Sequence, residues 1–459
     1  MAIKNILKYR KKPAHHKKAW VVSVNMGYGH ERASYALKGI AKSGEYIIAN
    51  SYKGIPKEER KSWHETRKLY EAVSRLKPIP LVGDLAFAFM DKLQEIPPFY
   101  PRRDLSEPNL QLKATFRFIE KHEAGKALID QLAENEKHIP LVSSFFIPSF
   151  AAELYNYPGE IYTVICDADF SRAWVGKDAK QSRIKFFAPC GRVVERLKLY
   201  GVRSENIFLT GFPIPKELIG GPKAEIVKHD MLERFCNLDP NGVFRSRYEK
   251  ILHSHFGASL KFCKKVKRPL TLTFAIGGAG AQRRLGVAIV KSLREKIKRH
   301  QIQVNLVAGT KTGLADFFVK ELHKLGLKRN HGKGVDILVE KDRPTYFKKF
   351  TELLHTTDIL WTKPSELSFY TGAGIPIIMA PVIGSQEKFN RLWLQQVGGG
   401  IDQLNPEHTD EWLFDWVNSG ALARLAWNGY IEAPTHGAHR IEEIITGNDV
   451  ELEQLPLIV

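Results

Sequence analysis

His30 ends the turn Met26-Gly27-Tyr28-Gly29, directly after an apolar, β-branched run from Ala19 to Asn25. A histidine there can accept a proton at neutral pH, because its unperturbed pKa of about 6.5 leaves the ring largely uncharged. Asp167 and Asp169 follow another apolar run, Ile161 to Ile165. A carboxylate is the weaker base unless burial raises its pKa. Either His30 or one of these aspartates can therefore serve as a general base, with the other orienting it. Farther along, Gly277-Gly278-Ala279-Gly280-Ala281-Gln282-Arg283-Arg284 leads into a helical pattern. Glycines opening a helix aim backbone N–H groups and a positive dipole end at one point, which suits a diphosphate. Gly278, Gly280, Gln282 and Arg283 are its candidate contacts. Lys363, Ser365 and Glu366 form a third polar group, and Gln386 and Asn390 a fourth; Thr310 ends a further apolar run. None of these has an evident structural duty.

The elements that must position them alternate between strand and helix. Strands are expected at 19–25, 46–51, 139–142, 161–165, 184–188 and 207–210, then at 270–276, 304–308, 335–339, 358–362 and 375–380. Helical patterns lie between them. Ser365 is expected to cap a helix of barely two turns that ends at Gly372 and Gly374. Strands joined through helices run parallel, so their following loops gather at one edge, where open α/β sheets bind ligands. Gly27 and Gly29 would let the chain turn sharply there. Residues 215–268 follow no clean period and read as an interdomain connection enlarged by an insertion. The expected layout is an α/β chain with an N-terminal domain over 1–214 and a C-terminal domain over 269–459.

Length and composition agree with this layout. A chain of 459 residues is too long for one ordinary core, and 43% hydrophobic with 26% charged residues is a globular balance. No apolar run is long enough to span a membrane, and the N-terminus is too basic for a secretory signal. Four scattered cysteines without a CxxC pair argue against zinc or a disulfide framework and for a reducing compartment. The net charge of +19 suits a polyanionic partner, with seven Lys/Arg and no acid in the first twenty residues. That segment is either a solvated tail or a contact for anionic lipid. The apolar stretch 81–90 and the proline-rich loop after it read as a core helix and loop, or as a membrane contact.

Four stretches together resemble the GT-B glycosyltransferases, in particular the monogalactosyldiacylglycerol synthases, the processive diacylglycerol glucosyltransferases and the lipid I N-acetylglucosaminyltransferases. They are Gly29-His30 with Ala33 and Ser34; Asp167 or Asp169 with Trp174, closing at Gly211-Phe212-Pro213; the glycine loop 277–282; and Thr362-Lys363, Gly374-Ile375-Pro376 and Gln386 with Asn390. The resemblance implies two Rossmann-like doubly wound domains facing a cleft, with the last helices crossing back to the first domain. It implies a UDP-sugar donor on the C-terminal side and an acceptor, lipid or glycan, on the N-terminal side. It also implies inverting transfer without a metal or cofactor, the nucleotide sugar being a substrate. The family's ribose-binding glutamate lies seven residues before the proline, where this chain has Phe369; Glu366, about one turn earlier, is the expected substitute. A cytoplasmic protein able to touch an anionic membrane face is the matching location.

Two further readings share this pattern. A nucleotide-sugar epimerase of the same fold needs no acceptor, and a non-catalytic binding protein with a worn donor site accounts for Phe369. Nucleic acid is not expected as a partner, since no recognised module accompanies the charge.

Overall fold

The computed structural model describes residues 16–65, 95–136, 138–257, 268–275, 282–328, 334–382, 384–448 and 452. The chain divides into two units. One comprises residues 1–214 and 436–452, the other residues 215–435 with the last seven.

The first unit is built on a six-stranded sheet of order β2-β1-β3-β4-β5-β6, with every neighbouring pair parallel. Its strands are β1 (Trp20–Ser23), β2 (Ile47–Ile48), β3 (Leu141–Ser143), β4 (Ile161–Val164), β5 (Lys185–Ala188) and β6 (Ile207–Leu209). β1, β3 and β4 are buried along their whole length, as expected for a parallel sheet covered on both faces. Ala33 and Ser34 bring the helix Tyr28–Ala36 close to this sheet. The Ser34 hydroxyl donates to Ser144 Oγ at 3.0 Å, and Ser144 donates to Ser23 Oγ at 2.9 Å. The helix Gly437–Thr446 also belongs here, and its first residue has to be small. A Cβ on Gly437 would lie 2.0 Å from the Phe212 carbonyl oxygen.

The second unit carries a parallel sheet of order β12-β11-β10-β7-β8-β9. Its strands are β7 (Leu270–Ala275), β8 (Ile302–Gly309), β9 (Val335–Val339), β10 (Ile359–Thr362), β11 (Ile377–Met379) and β12 (Gly400–Asp402). The chain thus has two Rossmann-like doubly wound α/β domains, as expected from the alternating pattern.

Residues 215–257 fold into the helices Lys216–Ile219, Glu225–Leu238 and Val243–Phe256 of this unit. Glu225–Leu238 buries Val227, Asp230, Met231, Arg234, Phe235 and Leu238. These positions stand at i, i+3, i+4, i+7, i+8 and i+11 on one face of the helix, but the charged Asp230 and Arg234 interrupt its apolar stripe in the sequence. The fully buried Arg234 donates to the carbonyls of Thr357 (2.9 Å), Ala373 (3.2 Å) and Gly374 (2.9 Å). Burial pulls its pKa down to about 10.

Three expectations change. Strand β12 is additional: it is three residues long and starts at Gly400 after two further glycines, so no apolar run marks it. Those glycines serve close packing, since a Cβ on Gly399 would lie 2.1 Å from Thr371 Oγ1. Glu366–Ala373 is a 3₁₀-helix, and Ser365, although at its N-cap, makes no side-chain cap hydrogen bond. The first turn is closed instead by the backbone, Ser368 N–H to Ser365 O at 2.9 Å. Cys166 and Cys190 are free and buried, but Cys236 is disulfide-bonded. Separation along the chain does not determine which thiols the fold brings together, and the bridge removes the cysteine argument for a reducing compartment. Cys263 lies outside the described residues.

Candidate functional site

In the second unit the chain runs β7, β8, β9 outward in one direction and then returns to place β10 on the other side of β7. The sheet's topological switch point therefore lies between β7 and β10, where loops leaving adjacent strands part and open a crevice. Gln282, Lys363, Ser365 and Glu366 follow these two strands, and Gln386 and Asn390 follow β11 next to them. The loops are tied to one another by side chains. Gln282 donates from Nε2 to the Pro381 carbonyl at 3.0 Å, joining the start of the helix Arg283–Ser292 to the loop after β11. Lys363 is ion-paired with Glu387 in the first turn of the helix Ser385–Gln396. Asn390, fully buried, donates to the Pro364 carbonyl at 3.4 Å.

These contacts assign different duties to the expected donor residues. Lys363 and Asn390 hold the loops, whereas Gln386 and Glu366 are half-buried at the first turns of their helices. Arg283 is exposed and its guanidinium stacks 4.7 Å from the Phe317 ring centroid, on the side of the helix Thr312–Lys324. Thr310 follows Gly309, whose positive φ of 68° turns the chain at the carboxyl end of β8. Gly278 and Gly280 lie outside the described residues. Packing of the helix after them depends on Gly286, where a Cβ would lie 2.9 Å from the Phe274 ring of β7. Phe369 is 1% exposed and packs on Trp393 at 4.7 Å. In a 3₁₀-helix residues three apart eclipse, so Glu366 shares its azimuth but sits at the half-buried first turn.

The first unit repeats the arrangement. β1 and β2 run one way and β3 to β6 the other, so its switch point lies between β1 and β3. Gly27 holds φ 133° and ψ 177°, which only glycine adopts readily, and the helix Tyr28–Ala36 begins directly after it. Gly29 and His30 fall in the first turn of that helix. The His30 ring meets Phe145, which follows β3, edge-on at 4.9 Å and lies 5.5 Å from Trp174. The histidine thus spans the switch point against an aromatic wall.

The two aspartates after β4 have separate surroundings. Asp169 is wholly buried, and its carboxylate accepts from Arg192 Nε at 2.7 Å and from Arg196 Nε and Nη2 at 2.8 and 2.9 Å. Phe99 closes the cluster, with the two guanidinium carbons 4.8 and 5.0 Å from its ring centroid. The Asp169 carboxylate is thus taken up by two guanidinium groups in the core of the first unit. Asp167 stays half-buried at the sheet edge that also carries His30. Phe145 and Glu387 were not anticipated. Phe145 could have been found only from the strand order, since 115 positions separate it from His30; Glu387 adjoins Gln386 with no motif of its own.

A family model described as a domain of unknown function (DUF6938) matches residues 261–420. No curated protein matches the chain. Among solved structures the chain is similar to S. aureus MnaA in complex with UDP, at 13% identity and a TM-score of 0.47, covering 96% of this chain and 100% of that one. It is likewise similar to Acinetobacter baumannii MurG (12%, TM-score 0.47, 94% and 100%). A third is UDP-GlcNAc 2-epimerase from Neisseria meningitidis bound to UDP-GlcNAc (13%, TM-score 0.44, 94% and 100%). Likenesses of this size fix neither ligand nor reaction.

Proposed function

We propose that the chain is a glycosyltransferase of GT-B type that moves a sugar from a UDP-sugar to an acceptor hydroxyl on a lipid or cell-envelope glycan. The observation that carries this reading is the pair of switch points, each lined by the chemistry transfer requires. In the second unit, loops tied by Gln282–Pro381, Lys363–Glu387 and Asn390–Pro364 surround the start of the helix Arg283–Ser292. Its N-terminal dipole and backbone N–H groups stabilise the departing diphosphate. Glu366 and Gln386 contact the ribose and sugar. In the first unit His30 takes the acceptor's proton as the new bond forms, and Asp167 orients it or holds the acceptor. Transfer is a single displacement with inversion, and no metal enters it.

One observation favours a second reading, a non-catalytic binding protein with a worn donor site. Phe369, at the position of the expected ribose-binding glutamate, is committed to the core against Trp393.

Thermal unfolding with UDP and UDP-sugars, followed by product analysis, separates these readings. UDP present at a hundredfold over Kd should stabilise the chain by about 2.7 kcal/mol and raise its Tm. Sugar appearing on an added acceptor supports transfer. Interconversion of free UDP-sugar identifies an epimerase, and no response to any nucleotide at millimolar concentration refutes the donor site and supports the second reading.

A further inference from the structure

A separate cavity of about 590 Å³ opens in the first unit beside Asn25, Asn50 and Ser51, which follow β1 and β2. Among the described residues its remaining wall is Lys57, Arg60, Lys61, Trp63 and His64. Residues 57–65 are helical, and Lys57, Arg60, Lys61 and His64 stand at i, i+3, i+4 and i+7, so they share one helix face. On another side of the helix, Glu59 and Trp63 are each 3% exposed. The Glu59 carboxylate accepts from Gly125 N–H at 2.8 Å and from Trp63 Nε1 at 3.3 Å. The helix is therefore anchored by its buried side and presents its cationic stripe to the cavity. Among the described residues lining the cavity none is a carboxylate. The floor is polar and fixed: Asn50 Oδ1 accepts from the Asn25 backbone N–H at 2.9 Å, tying the ends of β1 and β2 together.

Three cations and a histidine on one concave surface, with no carboxylate among the described residues that line it, repel each other unless an anion is present. We infer that this cavity is a binding site for a phosphate-bearing group, held by Lys57, Arg60 and Lys61 through charge-assisted hydrogen bonds, with His64 and the two asparagine amides as additional donors. Its volume accommodates a pyrophosphate or a phosphorylated head group. It shares the carboxyl end of β1 with His30. On the reading proposed above, on which this part rests, the site seats the anionic portion of the acceptor while the acceptor's hydroxyl meets His30. The cation site itself stands without that reading.

The test uses the full chain with the donor site saturated by UDP, then titrates inorganic pyrophosphate and, separately, the short-chain lipid dihexanoyl phosphatidic acid, by calorimetry. One bound equivalent is expected, with affinity falling about tenfold or more in R60Q/K61Q, the loss expected when charge-assisted bonds are removed. The substituted side chains are exposed, so the Tm should stay within a degree or two of wild type; if the double variant nevertheless unfolds, K57Q alone provides the same comparison. Tighter binding of the lipid than of pyrophosphate identifies a lipid head group, and the reverse order a soluble phosphate; both support the site if the variant loses them. Equal affinity in wild type and R60Q/K61Q overturns the inference, as does competition between UDP and pyrophosphate for a single site. If UDP does not bind, the donor reading fails, and the same variant comparison without UDP still decides the cation site.

Discussion

His30 and Asp169 show how far residue type alone carries an assignment. Both stand at the end of a strand in the first unit, and both are groups that could take a proton. His30 lies against Phe145 and Trp174, whereas Asp169 is enclosed by Arg192 and Arg196. Their substitutions should therefore separate cleanly. His30→Ala should lower turnover about a hundredfold or more with donor affinity retained, as for loss of a general base. Asp169→Asn removes one partner of a buried ion pair and leaves two guanidinium groups uncompensated, which costs about 3–5 kcal/mol. Urea unfolding and steady-state kinetics on both variants check the contrast; a stable Asp169→Asn with lost activity would reverse the two assignments. The sequence presents Asp167 and Asp169 two positions apart as equals. What distinguishes them is an i, i+4 arginine pair more than twenty residues later, and nothing local tells which carboxylate that helix will reach.

At the scale of elements, apolar runs marked eleven of the twelve strands found among the described residues, because a strand buried on both faces has to be apolar throughout. The twelfth, Gly400–Asp402, is held by its neighbours more than by its own propensity, so it left no local signal. The basic residues at 57–64 stand at helical spacing, but their cavity leaves no trace in the sequence, since it depends on where β1 and β2 end. The helix Glu225–Leu238 was obscured because the charged Asp230 and Arg234 stand on the face it buries and interrupt the apolar stripe that reveals an amphipathic helix. Its attachment has a pH signature. His355 Nδ1 lies 2.6 Å from Asp230 Oδ2 of that helix, and the carboxylate, against partial burial, holds the imidazole pKa above its usual value. A raised folded-state pKa means the protonated form is favoured on folding. The pair's contribution is therefore fully present below the unfolded histidine pKa of about 6.5 and is lost as pH rises through the folded value. His355→Gln should narrow the urea-midpoint difference between acidic and alkaline buffer, the variant lagging wild type at pH 5.5 and converging with it well above neutrality. A constant offset across pH would show that Asp230 and His355 contribute only packing.

Across the whole molecule the distribution of charge is the feature that neither sheet accounts for. Sixty-nine basic residues against fifty acidic ones give +19, and a surplus of that size is a statement about partners, not about fold. Among the described residues no helix is long and apolar enough to cross a membrane. Two basic features deserve separation: the first twenty residues, of which 1–15 lie outside the described residues, and the stripe at 57–64. An anionic bilayer attracts clustered lysines with about 1 kcal/mol per charge near its surface, an attraction confined to a Debye length of about 8–10 Å at physiological salt. The full chain should therefore sediment with vesicles containing phosphatidylserine and not with phosphatidylcholine alone, and release as salt is raised toward 1 M, where screening shortens to about 3 Å. Changing Lys4, Lys8, Arg10, Lys11 and Lys12 to glutamine should weaken this association while leaving pyrophosphate binding at Arg60 and Lys61 intact. Association that persists at high salt would instead require apolar insertion, and loss of both activities together would merge the two basic features into one surface.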